Sequence, residues 1–109
     1  MTTFFLYKNL TNVNLIQKIN NTFEFLDGYV LVHSYDENNN ILNISDNPKE
    51  NNTLLYGKIV YFKMTLNDVV KKIYNIDECK FKNKNTKYTL TTIWASKKYG
   101  GTNKAYIIY

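Results

Sequence analysis

A chain of 109 residues, 44% hydrophobic and 16% aromatic, has enough apolar side-chain area for one folded domain spanning 1–109, and its 21% of charged residues excludes wholesale disorder. The net charge is +5, and all 14 basic residues are Lys; the absence of Arg counts against sequence-specific reading of nucleic acid, where Arg supplies the commonest base contact. No apolar run approaches the roughly 18 residues of a membrane span, the opening MTTFFLYKNL lacks a signal peptide's basic region, and a single Cys79 excludes an internal disulfide and a Cys-based metal site, so a soluble, cytoplasmic protein with no membrane partner is expected.

The 17 Asn, with abundant Lys, Ile and Tyr, mark an A/T-rich coding bias, as in some viruses and microbes. The same bias generates sequon-like triplets such as Asn9-Leu10-Thr11 and Asn43-Ile44-Ser45, which carry no weight without a secretory signal.

The first strand is predicted at Phe4-Phe5-Leu6-Tyr7 and ends at Lys8-Asn9. Asn14 to Asn21 reads as a short helix with Leu15, Ile16 and Ile19 on one face. Asp27-Gly28 is a turn signal, followed by a strand from Tyr29 to Tyr35 in which Tyr29, Leu31, His33 and Tyr35 alternate with Val30, Val32 and Ser34. Residues 36–53 are polar, contain the only proline, Pro48, and read as a loop with a small strand at Ile41-Leu42. Leu54 to Met64 is a second strong strand, whose Gly57 marks a bulge or a close backbone approach.

Thr65 to Asp77 reads as the main helix, opened by Thr65-Leu66-Asn67-Asp68, a capping box with Asp in place of Glu. Lys80 to Lys87 is a basic loop and Tyr88 to Ser96 a strand. Lys97 to Lys104 forms a hairpin turn through Gly100-Gly101, and Ala105 to Tyr109 is the last strand. This order predicts an α+β domain: a small mixed, barrel-like sheet of five or six strands carrying two short helices.

One carboxylate stands out on the main helix. At about 100° per residue, Val69, Ile73, Leu66, Val70 and Ile76 form one apolar face, and Lys71, Lys72 and Asn75 fall off it. Asp77 lands inside that face, about 80° from Val69, whereas Glu78 points away at about 180°. A carboxylate on a core-facing stripe is unfavourable unless paired, and burial raises its pKa toward the range of a general base. If the helix instead ends at Ile76, Asp77 is an ordinary polar residue of the following loop.

With these elements in place, the chain resembles the gamma-glutamylcyclotransferase-like family along nearly its whole length. That family opens with a strand ending in a Tyr-Gly-Thr-Leu or Tyr-Gly-Ser-Asn loop, where this chain has Tyr7-Lys8-Asn9-Leu10. A Gly-Tyr-x-Leu strand is matched by Gly28-Tyr29-Val30-Leu31, and a Val-x-Gly-x-x-Tyr strand by the segment Leu55-Tyr56-Gly57-Lys58-Ile59-Val60-Tyr61. The family's last strand carries a small residue and a Tyr, as in Ala105-Tyr106-Ile107. The resemblance implies cyclisation of a gamma-glutamyl unit to 5-oxoproline with release of an amine, and no metal or organic cofactor. It also implies substrate binding by Tyr7, Lys8, Asn9, Leu10 and Tyr106.

The family's catalytic Glu lies in a Leu-Asp-x-x-Glu-Gly motif at the end of a helix. Aligning Ile73 with the motif's Leu puts Asp77 at the catalytic place, in agreement with the helical wheel. The register Ile76-Asp77-Glu78-Cys79-Lys80 puts Lys80 there instead. Lys8 replaces the loop glycine, so the resemblance also admits a non-catalytic relative that binds an anionic small molecule or nucleotide in the same pocket.

The remaining candidates read as structural. His33 is the only histidine and falls on a strand face, and with one Cys in the chain a zinc site has too few ligands. Cys79 is a spare thiol with no base tied to it. The Lys80–Lys87 and Lys97–Lys104 segments read as solvated, composition-biased loops. The alternative is that they track a phosphate backbone, with Phe81 and Tyr88 available for stacking.

Overall fold

The computed structural model describes residues 1–75 and 88–109. Its elements are strand β1 (Thr2–Tyr7), a 3-10 helix (Lys8–Thr11), helix α1 (Val13–Ile19), β2 (Phe23–Val32), β3 (Ser34–Asp36), β4 (Ile41–Asn43), a second 3-10 helix (Pro48–Glu50), β5 (Thr53–Phe62), α2 (Leu66–Asn75), β6 (Leu90–Lys97) and β7 (Thr102–Ile108). Five strands close a barrel in the order β1-β5-β2-β6-β7, and β3 with β4 forms a separate hairpin. The β1–β7 pairing is parallel and the other barrel pairings are antiparallel. This is the small α+β fold with a mixed barrel and two helices that the order of elements predicts.

Paired residues of neighbouring strands share a face, so the register sorts the side chains. Phe5, Tyr7, Ile59, Val30, Ala95 and Ile107 point into the barrel and are buried. The amide of Asn103 on β7 reaches across to the Tyr61 hydroxyl on β5 at 2.8 Å, a polar tie between strands that are not neighbours. Phe4, Leu6, Val60 and Phe62 alternate outward yet are equally buried. Strands buried on both faces need cover outside, which α1 supplies with Ile16 and Ile19 and α2 with Val69, Val70 and Ile73.

Both helices begin where their caps place them. The Asn12 side chain accepts from the Asn14 amide, and the Thr65 hydroxyl accepts from the Asp68 amide, as the capping box anticipates. On α2 the wheel holds over the described residues, with Val69, Val70 and Ile73 buried, Leu66 half-buried, and Lys71, Lys72 and Asn75 exposed. Ile76 and Asp77 lie outside the described residues.

Two expectations change. Asp27-Gly28 is not a turn but lies inside the ten-residue β2, paired with Lys58 and Gly57. Gly28 serves there by lacking a side chain: a Cβ would meet the Ser96 carbonyl oxygen of the neighbouring β6. The strand expected to run on to Tyr35 breaks at His33, whose amide donates to the Asn43 carbonyl, and the chain continues into the β3–β4 hairpin. Gly57, by contrast, is the close approach its position implies. A Cβ there would collide with the Leu6 carbonyl oxygen and the Phe5 ring.

Gly57→Ala should therefore destabilise the fold by at least about 2 kcal/mol, because β1 has to move off β5 to admit a methyl group. Denaturant unfolding measures this, and a loss under about 0.5 kcal/mol would show that β1 moves freely.

Candidate functional site at the Tyr7 end of the barrel

β1 delivers Tyr7 to one end of the barrel. Its ring is 3% exposed, its hydroxyl donates to the Ile108 carbonyl at 3.1 Å, and the Tyr35 ring meets it edge-on at 5.6 Å. Burial, together with the neighbouring Tyr35 and Tyr109, pushes the Tyr7 hydroxyl well above a tyrosine's ordinary pKa. At neutral pH Tyr7 is thus a fixed hydrogen-bond donor and not a proton carrier.

At Lys8 the backbone turns through φ +55°, the left-handed region that favours glycine. The turn starts the 3-10 helix, which the Thr11 hydroxyl secures by donating to the Lys8 carbonyl at 2.7 Å. The Lys8 ammonium reaches the Glu37 carbonyl at 2.6 Å, in the turn of the β3–β4 hairpin. That turn is held by Asp36, whose carboxylate accepts from the backbone of Asn38 and Asn39 and from the Asn39 side chain. These bonds, the Asn39 side chain foremost, hold the Asp36 pKa below the usual carboxylate range. Asn40 completes the turn at φ +54°. The hairpin thus lies over the Tyr7 end, with Tyr35 against Tyr7 and the Glu37 carbonyl on Lys8.

Of the positions expected to bind substrate, Tyr7 and Leu10 are core residues and Lys8 is engaged by the hairpin. Asn9 stands in the 3-10 helix, and its side chain is outside the described set. Tyr106 pairs with Phe4, with ring centres 5.7 Å apart, so it lies on the opposite face of the barrel wall from Tyr7. Asp77, Glu78, Cys79 and the Lys80–Lys87 segment lie outside the described residues. His33 is exposed at its bend and its Nδ1 donates to the Glu50 carbonyl at 3.1 Å, while among the described residues no three His, Cys, Asp or Glu side chains come together as a metal site.

Among the described residues, open clefts lie elsewhere. One of about 260 Å³ is lined by Asn67, Val70, Lys71, Tyr74, Tyr88 and Leu90, and by Asn75 at the end of α2. The other, about 410 Å³, lies on the outer side of β2 and β5, between Tyr29, Tyr56 and Lys98, with Asp27, Gly28 and Gly57 completing its lining. Sequence reasoning missed the second. Its signal is present as the dipeptides Gly28-Tyr29 and Tyr56-Gly57, which form one site only through the pairing of Gly28 with Gly57 and Tyr29 with Tyr56.

Comparison of the chain with family models, with curated proteins and with solved structures finds no match in any of the three.

The raised Tyr7 pKa makes stability fall in alkaline solution. Above about pH 10 the unfolded chain releases this proton while folded Tyr7 keeps it, so the stability present below that pH is lost as pH rises, by up to about 1.4 kcal/mol per unit. Tyr7→Phe should lose about 1 kcal/mol at neutral pH, with the hydrogen bond to Ile108, and show a shallower alkaline decline. Denaturant unfolding at about pH 7 and about pH 11 reads both, and parallel declines would remove the assignment to Tyr7.

Proposed function

We propose that the chain is a gamma-glutamylcyclotransferase-like domain, acting in the cytoplasm, that binds a small anionic ligand without turning it over. The observation that carries this reading is Lys8. It stands where the resembled family has glycine, and its backbone takes the left-handed conformation that glycine favours. In place of a bare backbone it sets an ammonium group at the barrel's end, one of whose three donors goes to the Glu37 carbonyl. A cation there suits a carboxylate or phosphate and obstructs the close backbone contact that a gamma-glutamyl unit needs. Tyr7 is a neutral donor committed to Ile108, which fits binding better than proton transfer.

A second reading, retained catalysis with Asp77 as acid/base, has one specific observation in its favour. The cleft lined by Tyr74 and Asn75 lies at the end of α2, two residues short of Asp77 in the sequence. In that reading Asp77 takes the proton of the attacking amine and returns it to the leaving one, and the shorter Asp requires a substrate placed closer to the helix.

Incubation with gamma-glutamyl-alanine, glutathione and gamma-glutamylamines, followed by mass spectrometry for 5-oxoproline, separates the two. We expect no product, and saturable binding of an anionic metabolite or nucleotide that Lys8→Gly abolishes while leaving the fold intact. Product formation that disappears in Asp77→Ala would replace the binding reading with the enzymatic one. Binding unchanged in Lys8→Gly would remove Lys8 from the site.

A further inference from the structure

β5, β2, β6 and β7 present a continuous outer face that is aromatic, open to solvent and basic. Tyr29 pairs with Tyr56 and Leu31 with Leu54 across β2 and β5, and Tyr29 pairs with Ser96 across β2 and β6. Trp94, two residues before Ser96 and so on the same side, pairs with Lys104 of β7. These are large apolar groups left in water: Tyr56 is 69% exposed, Trp94 63%, Leu54 49% and Leu31 45%. A contiguous exposed patch of this kind marks an interaction site.

The charge on this face narrows the occupant. The Lys104 ammonium lies 5.8 Å from the Trp94 ring centre, Lys58 lies 4.6 Å from that of Phe25, and Lys98 lines the cleft beside Tyr29 and Tyr56. Among the described residues, Asp27 is the one acid at an outward position of these four strands, and its carboxylate is tied to Lys58 at 3.0 Å. A second copy of the chain would bring lysines against lysines. An acidic peptide satisfies the lysines but offers the rings no planar partner. A duplex keeps its bases inside, out of reach of exposed rings.

We propose that this face binds single-stranded nucleic acid. Bases stack on Tyr56, Tyr29 and Trp94, one of them seated in the 410 Å³ cleft, while Lys98 and Lys104 neutralise phosphates and Lys58 stays with Asp27. Every base has a π-face and the chain has no Arg to fork onto guanine, so binding is tolerant of sequence. This surface is separate from the Tyr7 end and does not depend on the ligand proposed there.

Trp94 is the only tryptophan of the chain, so intrinsic fluorescence reports directly on the face. Titration with oligothymidylate and oligouridylate of about 12 nucleotides should quench it saturably. Two phosphate contacts predict an affinity loss of about sevenfold between about 50 mM and about 200 mM salt. Tyr56→Ala, at an exposed position, should weaken binding by about fivefold or more, and Lys98→Ala should lower both the affinity and the salt slope. The proposal is overturned by no quenching at the lower salt, by equal quenching with oligoglutamate, or by unchanged affinity in both variants. Self-association without any response to either oligonucleotide would assign the face to a second copy and overturn it equally.

Discussion

The barrel depends on how closely its backbones approach along one row. Tyr7 of β1, Gly57 of β5, Gly28 of β2 and Lys97 of β6 are successive partners across four strands, and the two central members have no side chain. Five strands enclose little room, and interior layers of small barrels fill by setting a large side chain beside small ones. Here the large ones are Phe5 and Ile59: the Phe5 ring takes the space that Gly57 leaves on the inside, and the Ile59 side chain the space that Gly28 leaves. Outside, the same two glycines lower the floor between Tyr29, Tyr56 and Lys98 and so make the cleft. One packing decision thus shapes both the filled end of the barrel and the open face of its wall.

This row explains which parts of the architecture could be read from the chain beforehand. The main helix announces itself through local chemistry, with Thr65 as cap and the Val69-Val70-Ile73 stripe as the buried side, and the first helix through its apolar face alone, its Asn12 cap going unread. Gly57 is legible because a lone glycine in a strand needs a reason. Gly28 misleads, because Asp-Gly is a turn signal wherever the chain is free to reverse. What holds it extended is pairing with Gly57 of β5 and Lys97 of β6, distant partners that no local pattern contains. Alternation fails in the same region: Tyr29 and Leu31 face water while Val30 and Val32 face the core, and both sets are apolar. Hydropathy separates inside from outside only where the outside is polar, and a sheet that presents rings to solvent removes that contrast.

The hairpin at the Tyr7 end was half hidden: the small strand expected at Ile41-Leu42 is there as β4, but not its partner β3 or their place on the barrel. Residues 36–53 are polar and rich in Asn, the composition of a loose loop, yet Asp36 and Asn40 organise a tight turn and Tyr35 anchors it to the barrel. The resulting arrangement sets Lys8 and Tyr7 beneath a cover supplied by the chain's own backbone. Tyr7 and Lys8 are named through the family resemblance, and what no pattern shows is that Tyr7 is buried, Lys8 held by the hairpin and Tyr106 on the other side of the wall.

The closure of the barrel has a consequence for how the protein is made. β1 is synthesised before the other strands of the barrel, and it is sealed by β7 through parallel pairing and through a Tyr7–Ile108 hydrogen bond that spans 101 residues of sequence. Until β7 leaves the ribosome, β1 and β6 each carry an unpaired edge, and the β1 side chains that will face Ala105 and Ile107 stay wet. Such non-local closure is slow and leaves nascent edges able to pair with other chains. For a domain this small, the hazard lies in the interval between making the first strand and making the last, and a cell producing it in quantity must hold the growing chain apart from its neighbours until the seam shuts.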